Sequence, residues 1–153
     1  MEIISLIIAS ISGVAAAMSV VFSVITYNRT LKHDRKQATL EAYNRLQSEV
    51  FDKLNTYTPA QIRNICDDTK SPEYKILSNY LARIEHFCVG INEKIYDKDV
   101  FYAMAHGYFD SHQLKKRIEP LLESKNKSNN TQQLFYTNIF SVLDWMRKKK
   151  LKM

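Results

Sequence analysis

From Ile3 to Asn28 the chain runs for 26 residues, IISLIIASISGVAAAMSVVFSVITYN, without one charged side chain. At about 1.5 Å of rise per residue such a helix is about 39 Å long, enough to cross a hydrocarbon core of about 30 Å with some tilt. A helix buried in the core of a globular domain rarely needs that length. A cleaved secretion signal is the other competitor, and Ala15-Ala16-Ala17 offers it a small-residue cleavage site. Yet the basic n-region is missing, Glu2 standing in its place, and the apolar run continues through Val20-Val21-Phe22-Ser23-Val24-Ile25 beyond those alanines. The expectation is a single transmembrane helix over residues 3–28.

The flanks orient it. Arg29, Lys32, Arg35 and Lys36 crowd the C-terminal end, whereas no Lys or Arg precedes the apolar run. By the positive-inside rule the chain is expected to be a single-pass protein of the inner (cytoplasmic) membrane, with its N-terminus outside and its C-terminal domain in the cytoplasm. Within the apolar run, steps of four and three connect Ser5, Ala9, Ser12, Ala16, Ser19, Ser23 and Thr26, a heptad seam of small residues. Lipid supplies no hydrophobic force between helices, so they associate through close backbone approach and interhelical hydroxyl bonds, and a repeat of 3.5 suits left-handed crossing. The seam predicts a homo-oligomer. Ser hydroxyls also bond to the carbonyl four residues back, which is the competing use of the same side chains. Ala9, Gly13 and Ala17 form a second small row, suited to a right-handed crossing.

Net charge is +6, a value that invites nucleic acid until it is divided along the chain. Residues 29–36 hold four basic groups and one acid, residues 147–153 hold five basic groups, and residues 37–146 hold 13 basic groups against 14 acids. The excess therefore sits at two ends. Arg29, Lys32, Arg35 and Lys36, with Arg147, Lys148, Lys149, Lys150 and Lys152, are the candidate contacts to anionic lipid headgroups, each worth about 1 kcal/mol near such a surface. The tail RKKKLKM lacks the interleaved aromatics of a nucleic-acid surface, which argues against that partner.

Three Gly, three Pro and long amphipathic stretches without strict alternation predict an all-α fold. The organisation expected is a transmembrane helix (3–28), a basic juxtamembrane segment (29–36), a cytoplasmic bundle of about four to five helices (37–146) and a basic tail (147–153). Leu40, Tyr43, Leu46, Val50, Phe51, Leu54 and Tyr57 mark the core face of the first bundle helix. Thr58-Pro59 and Ser71-Pro72 are helix starts, cap residue followed by proline at the first helical position. The second opens the helix of cleanest periodicity, with Tyr74, Leu77, Leu81, Ile84, Cys88, Ile91 and Ile95 as its inner face. Asp99 is the expected cap of a helix running toward Glu119, which Pro120 kinks or ends. SKNKSNNTQQ, residues 124–133, reads as a loop before a last helix that begins near Thr131, carries Leu134, Phe135 and Ile139 inward and leaves Trp145 half exposed.

The stretch NYLARIEHFCVGINEKIYDKDVFYAM resembles a family of small bacterial and prophage-encoded proteins with an N-terminal membrane helix, classed as a domain of unknown function. Tyr80, Leu81, Glu85, Gly90, Ile91, Asp97, Asp99, Tyr102 and Trp145 carry the resemblance, which spans residues 1–147. It implies a membrane helix joined to a helical domain, and no activity.

Glu85-His86 is the candidate buried polar site, since a carboxylate between apolar rows must find a partner or take up a proton. Neighbouring helical residues point about 100° apart, so the two are poorly placed to share a substrate, and a structural role is expected. His106, Asp110 and His112 are of metal-ligating type, but the third His points elsewhere on a helix, so no metal is expected. Cys66 and Cys88 lack CxxC spacing and read as free thiols. No Walker loop, GxSxG or HExxH is present, so the chain is read as no enzyme and as needing no cofactor. The function expected is a membrane-tethered, self-associating cytoplasmic helical interaction module with a protein partner of unknown identity. The alternative is an oligomeric membrane effector of the phage-defence or toxin kind that permeabilises the membrane when triggered. Replacing Ser12 and Ser19 together by Leu should weaken anchor self-association in a membrane dimerisation assay, while Leu at Ile11 and Val20 leaves it intact. Equal effects from the two pairs would reduce the seam to composition.

Overall fold

The computed structural model describes residues 2–109, 112–128 and 136–151, and among these every regular element is helical, with no strand. The chain divides into two compact units, Met1–Arg35 and Lys36–Met153. The first unit holds most of helix α1, Glu2–Leu46. From Gly13 through Thr30 its side chains are all exposed, among them Val14, Met18, Val20, Val21, Phe22, Val24 and Ile25. This part is long and apolar enough to cross a membrane by composition.

The second unit begins with the end of α1, a π-helical turn at Gln47–Phe51 and one further α-turn, α2, Asp52–Leu54. Consecutive residues point about 100° apart on an α-helix and somewhat less in a π-turn, which brings Val50 and Phe51 closer to one face. The wider turn takes in an extra residue, and both side chains are fully buried. Helix α3, Pro59–Asp67, opens on a capping box: the Gln61 amide donates to Thr58 Oγ1, and the Thr58 amide donates to Gln61 Oε1 at 2.8 Å. Helix α4, Pro72–Asn92, starts on Ser71, whose Oγ accepts from the Tyr74 amide.

Helix α5 spans Lys98–Phe109. Its cap is Asp97 rather than Asp99, because the Asp97 carboxylate reaches the amides of Asp99 and Val100, each at 3.0 Å. The Asp97 amide in turn donates to Thr39 Oγ1 at 2.7 Å, a hydroxyl fully buried on α1. Chain reversal between α4 and α5 needs the left-handed Lys94, at φ 60°, and Gly90, where a Cβ would come within 2.6 Å of the Tyr96 ring. Ile95 falls in this reversal, beyond the end of α4, and is 58% exposed, so the periodicity of the preceding helix overran its true end. Leu40 is likewise 41% exposed, the inward position going to Thr39 one residue earlier.

Helix α6, His112–Ser128, passes through Pro120 without ending there. A mid-helix proline costs about 3 kcal/mol, yet Leu114, Ile118, Leu121 and Leu122 around it are buried, and their packing holds the helix through the break. Of the helix expected to run on to Glu119, residues 98–109 and 112–119 are helical and residues 110–111 lie outside the described residues, while residues 124–128 of the expected loop are helical. The rest of that loop, with Thr131, Leu134 and Phe135, lies outside the described residues. Helix α7 runs from Thr137 to Lys150, so the first four basic residues of the tail are helical.

An aromatic cluster fills the middle. Phe101 meets Phe109 edge-on at 5.1 Å, Phe87 at 5.3 Å and Tyr43 at 6.1 Å, and Phe51 meets Phe109 edge-on at 5.4 Å. Phe101→Ala should cost about 3–5 kcal/mol of unfolding free energy, read from denaturant titration in non-ionic detergent. Ile95→Ala should stay within about 0.5 kcal/mol of the parent.

Candidate functional site

Glu85 sits on α4 between the fully buried Ile84 and Cys88 and is itself half buried. Opposite it, α7 begins without a cap of its own: Tyr136 at the N-cap has left-handed backbone angles, φ 65° and ψ 36°, and its side chain serves no free amide. Glu85 fills that role from 53 residues away in sequence. Oε1 accepts from the Asn138 amide at 3.1 Å and from Asn138 Nδ2 at 2.8 Å, and Oε2 accepts from the Ile139 amide at 2.9 Å. A negative group thus lies at the positive end of the helix dipole, and two otherwise orphaned donors are satisfied. Asn138 Oδ1 accepts from Asn92 Nδ2 at 2.8 Å, so a polar strip joins α4 to α7.

This arrangement holds a helix in place. Both oxygens of Glu85 are engaged by donors. His86, exposed on the neighbouring face, does not share the site. The Cys88 thiol is pushed far above its ordinary range, first by burial and then by the Glu85 charge, and so stays protonated. Burial, followed by the charges of Asp67 and Glu123, raises the half-buried Cys66 as well.

The basic tail is partly committed to the bundle. Lys149 Nζ pairs with the Asp99 carboxylate and lies 4.6 Å from the centre of the Tyr102 ring and 5.4 Å from that of Trp145. Lys98 lies 5.4 Å from the same Trp145 ring. Lys148 pairs with Asp144 one turn earlier on the surface. Arg147 is exposed, Lys150 has interactions within the protein, and Lys152 lies outside the described residues. Arg29, Lys32, Arg35 and Lys36 are all exposed on α1.

On the small-residue seam, Ala16, Ser19, Ser23 and Thr26 are exposed. Ser5, Ala9 and Ser12 belong to α1, but their side chains lie outside the described residues. Ser19 donates to the Ala15 carbonyl at 2.9 Å and Ser23 to the Ser19 carbonyl at 2.8 Å, the self-satisfied use of these hydroxyls. Of the three residues of metal-ligating type, His106 stacks on Tyr102 with ring centroids 5.7 Å apart, while Asp110 and the side chain of His112 lie outside the described residues. Among the described residues no three ligand-type side chains gather into a metal-sized group.

Sequence reasoning missed Thr39, the Asn92–Asn138 pair and the ring contacts of Lys149. A threonine in the middle of a helix gives no local sign of a partner 58 residues away. For Lys149 a weak sign existed, since Asp99, Tyr102, Trp145 and Lys149 are spaced by three and four on their helices.

The fold and the polar strip define an all-helical bundle behind an apolar N-terminal helix. Residues 10–149 match the family described as a domain of unknown function (DUF4760), and the chain belongs to that family. No curated protein and no solved structure matches the chain.

Glu85→Ala should lower the unfolding free energy by about 2 kcal/mol and raise amide exchange selectively in the first turn of α7, because two buried donors lose their acceptor. Glu85→Gln should recover part of that loss, since one carbonyl oxygen remains. Unchanged exchange at Asn138 and Ile139 would show that the carboxylate is not the cap.

Proposed function

We propose that the protein is a membrane-tethered, self-associating cytoplasmic helical interaction module. What carries the reading is the uncovered apolar surface of α1: from Val14 to Tyr27 every large apolar side chain is exposed, and no described residue of the chain covers them. Such a stretch left in water would offer a large apolar patch, whereas in a bilayer it is solvated by the acyl chains. The four basic residues beyond it suit the anionic headgroups of the cytoplasmic leaflet. Small residues on the seam let copies of the anchor approach closely, and the back-bonded hydroxyls of Ser19 and Ser23 keep lone pairs for a neighbouring helix. Tethering raises the effective concentration of the bundle, and of its protein partner, at the inner surface without any catalytic step.

A second reading makes the clustered anchors the effector itself, opening a leak in the inner membrane, and draws on the hydroxyls along the seam. Expression in bacteria with a membrane-potential dye separates the two: depolarisation favours the leak, and an undisturbed potential with a co-purifying protein favours the module. In either case the protein should sediment with the membrane fraction and resist carbonate extraction, because about 26 uncharged residues bury too much apolar surface for reversible surface binding. A cysteine added after Met153 should react only once the cytoplasmic side is opened. Release by carbonate, or labelling from outside intact cells, would refute the tether or its orientation.

A further inference from the structure

An open groove of about 250 Å³ lies between the end of α1, the π-helical turn and the middle of α4. Arg45 and Glu49, four residues apart, form one rim, and Arg83 and His86, three residues apart, form the other. Phe87 makes the floor, with the Tyr96 ring stacked on it at 5.1 Å and an interplanar angle of 23°. Three donor side chains therefore line one groove of a bundle that holds 13 basic groups against 14 acids over residues 37–146. Glu49 is the one carboxylate among the lining residues, and it is paired with Arg83. Among the described residues neither Arg45 nor His86 has a side-chain partner in the protein. Glu49 also belongs to the π-helical turn, a local widening that recurs at functional sites.

We propose that this groove binds a small anion of the phosphate class, a free phosphate ester or the phosphate of a lipid headgroup, held by Arg45, Arg83 and His86, with Glu49 as the internal carboxylate that the anion displaces from Arg83. Guanidinium forks match phosphate oxygens in pairs, and the imidazole supplies a further N–H. The stacked Phe87 and Tyr96 rings give the substituent of an ester an apolar wall. The groove is built from the bundle alone, so the proposal stands apart from the tether and from self-association.

The full chain in non-ionic detergent is the material for the test. Inorganic phosphate is titrated against sodium chloride at equal ionic strength, and dihexanoyl phosphatidylglycerol against dihexanoyl phosphatidylcholine, with the thermal midpoint as readout. A saturable rise with phosphate or with phosphatidylglycerol is expected, and the tighter probe identifies the source of the anion. Arg45→Gln with His86→Gln should weaken binding by about tenfold or more, and both lie on exposed surface, so an unchanged far-ultraviolet circular dichroism spectrum reports intact folding. Glu49→Gln should strengthen binding by about threefold or more, because the carboxylate no longer competes with the anion for Arg83. Midpoints that track ionic strength alone, or equal responses of parent and double variant, overturn the site; weaker binding by Glu49→Gln overturns the displacement.

Discussion

The Glu85 carboxylate on α4 caps the last helix of the bundle from across the core. Helix α7 starts from a left-handed residue with no side-chain cap, so its first amides depend on an acceptor delivered from α4. Once that acceptor is in place, Ile139, Val142 and Met146 are buried, and Lys149 reaches Asp99 and the rings of Tyr102 and Trp145. Polar capping at one end and a cation over aromatic faces at the other thus bracket the apolar stripe between them. Burial of that stripe supplies the driving force, and the two polar contacts set which way the helix lies.

The helices legible in the sequence were those whose start signals are local. Thr58-Pro59 and Ser71-Pro72 each combine a capping side chain with a proline of suitable φ, and both helices begin where those residues say. Boundaries set by distant partners were not legible. Asp97 outcompetes Asp99 as the cap of α5 because Thr39, far off in the chain, fixes the Asp97 amide. Pro120 reads as a kink or an end when taken alone, and the buried leucines and isoleucine around it explain why α6 continues past it. The polar pair was legible in kind: a carboxylate among apolar rows implied a partner, and its spacing from His86 implied that the two would not cooperate. Two of the carboxylate's three donors are backbone amides on another helix, which leave no trace in side-chain identity, and the third, Asn138 Nδ2, lies 53 residues away.

Charge behaves in the same way. Counted along the chain, the C-terminal run looks like a uniform basic tail, yet its lysines have different fates, Lys149 being drawn over two aromatic rings and Lys148 paired along its own helix. A formal charge that is already matched by a carboxylate contributes less to the field felt by a distant surface than an unmatched one. The basic residues directly after the apolar segment are exposed, as are Arg147, Lys148 and Lys150 of the tail.

The π-helical turn loosens the link between the length of the chain and its phase. Thr39 and Tyr43 lie before it, Leu54 lies after it, and all three are buried in the same unit. Losing one residue between 47 and 51 would return the stretch to ordinary α geometry at little local expense. Because the wider turn absorbs one residue, that loss would leave the end of α1 nearly in phase with α2, keeping the Thr39 hydroxyl beside the Asp97 amide and Tyr43 in the aromatic cluster. Length in this segment is therefore less tightly constrained than side-chain character, and a variant one residue shorter there should keep the fold as long as apolar side chains still fill the places of Val50 and Phe51.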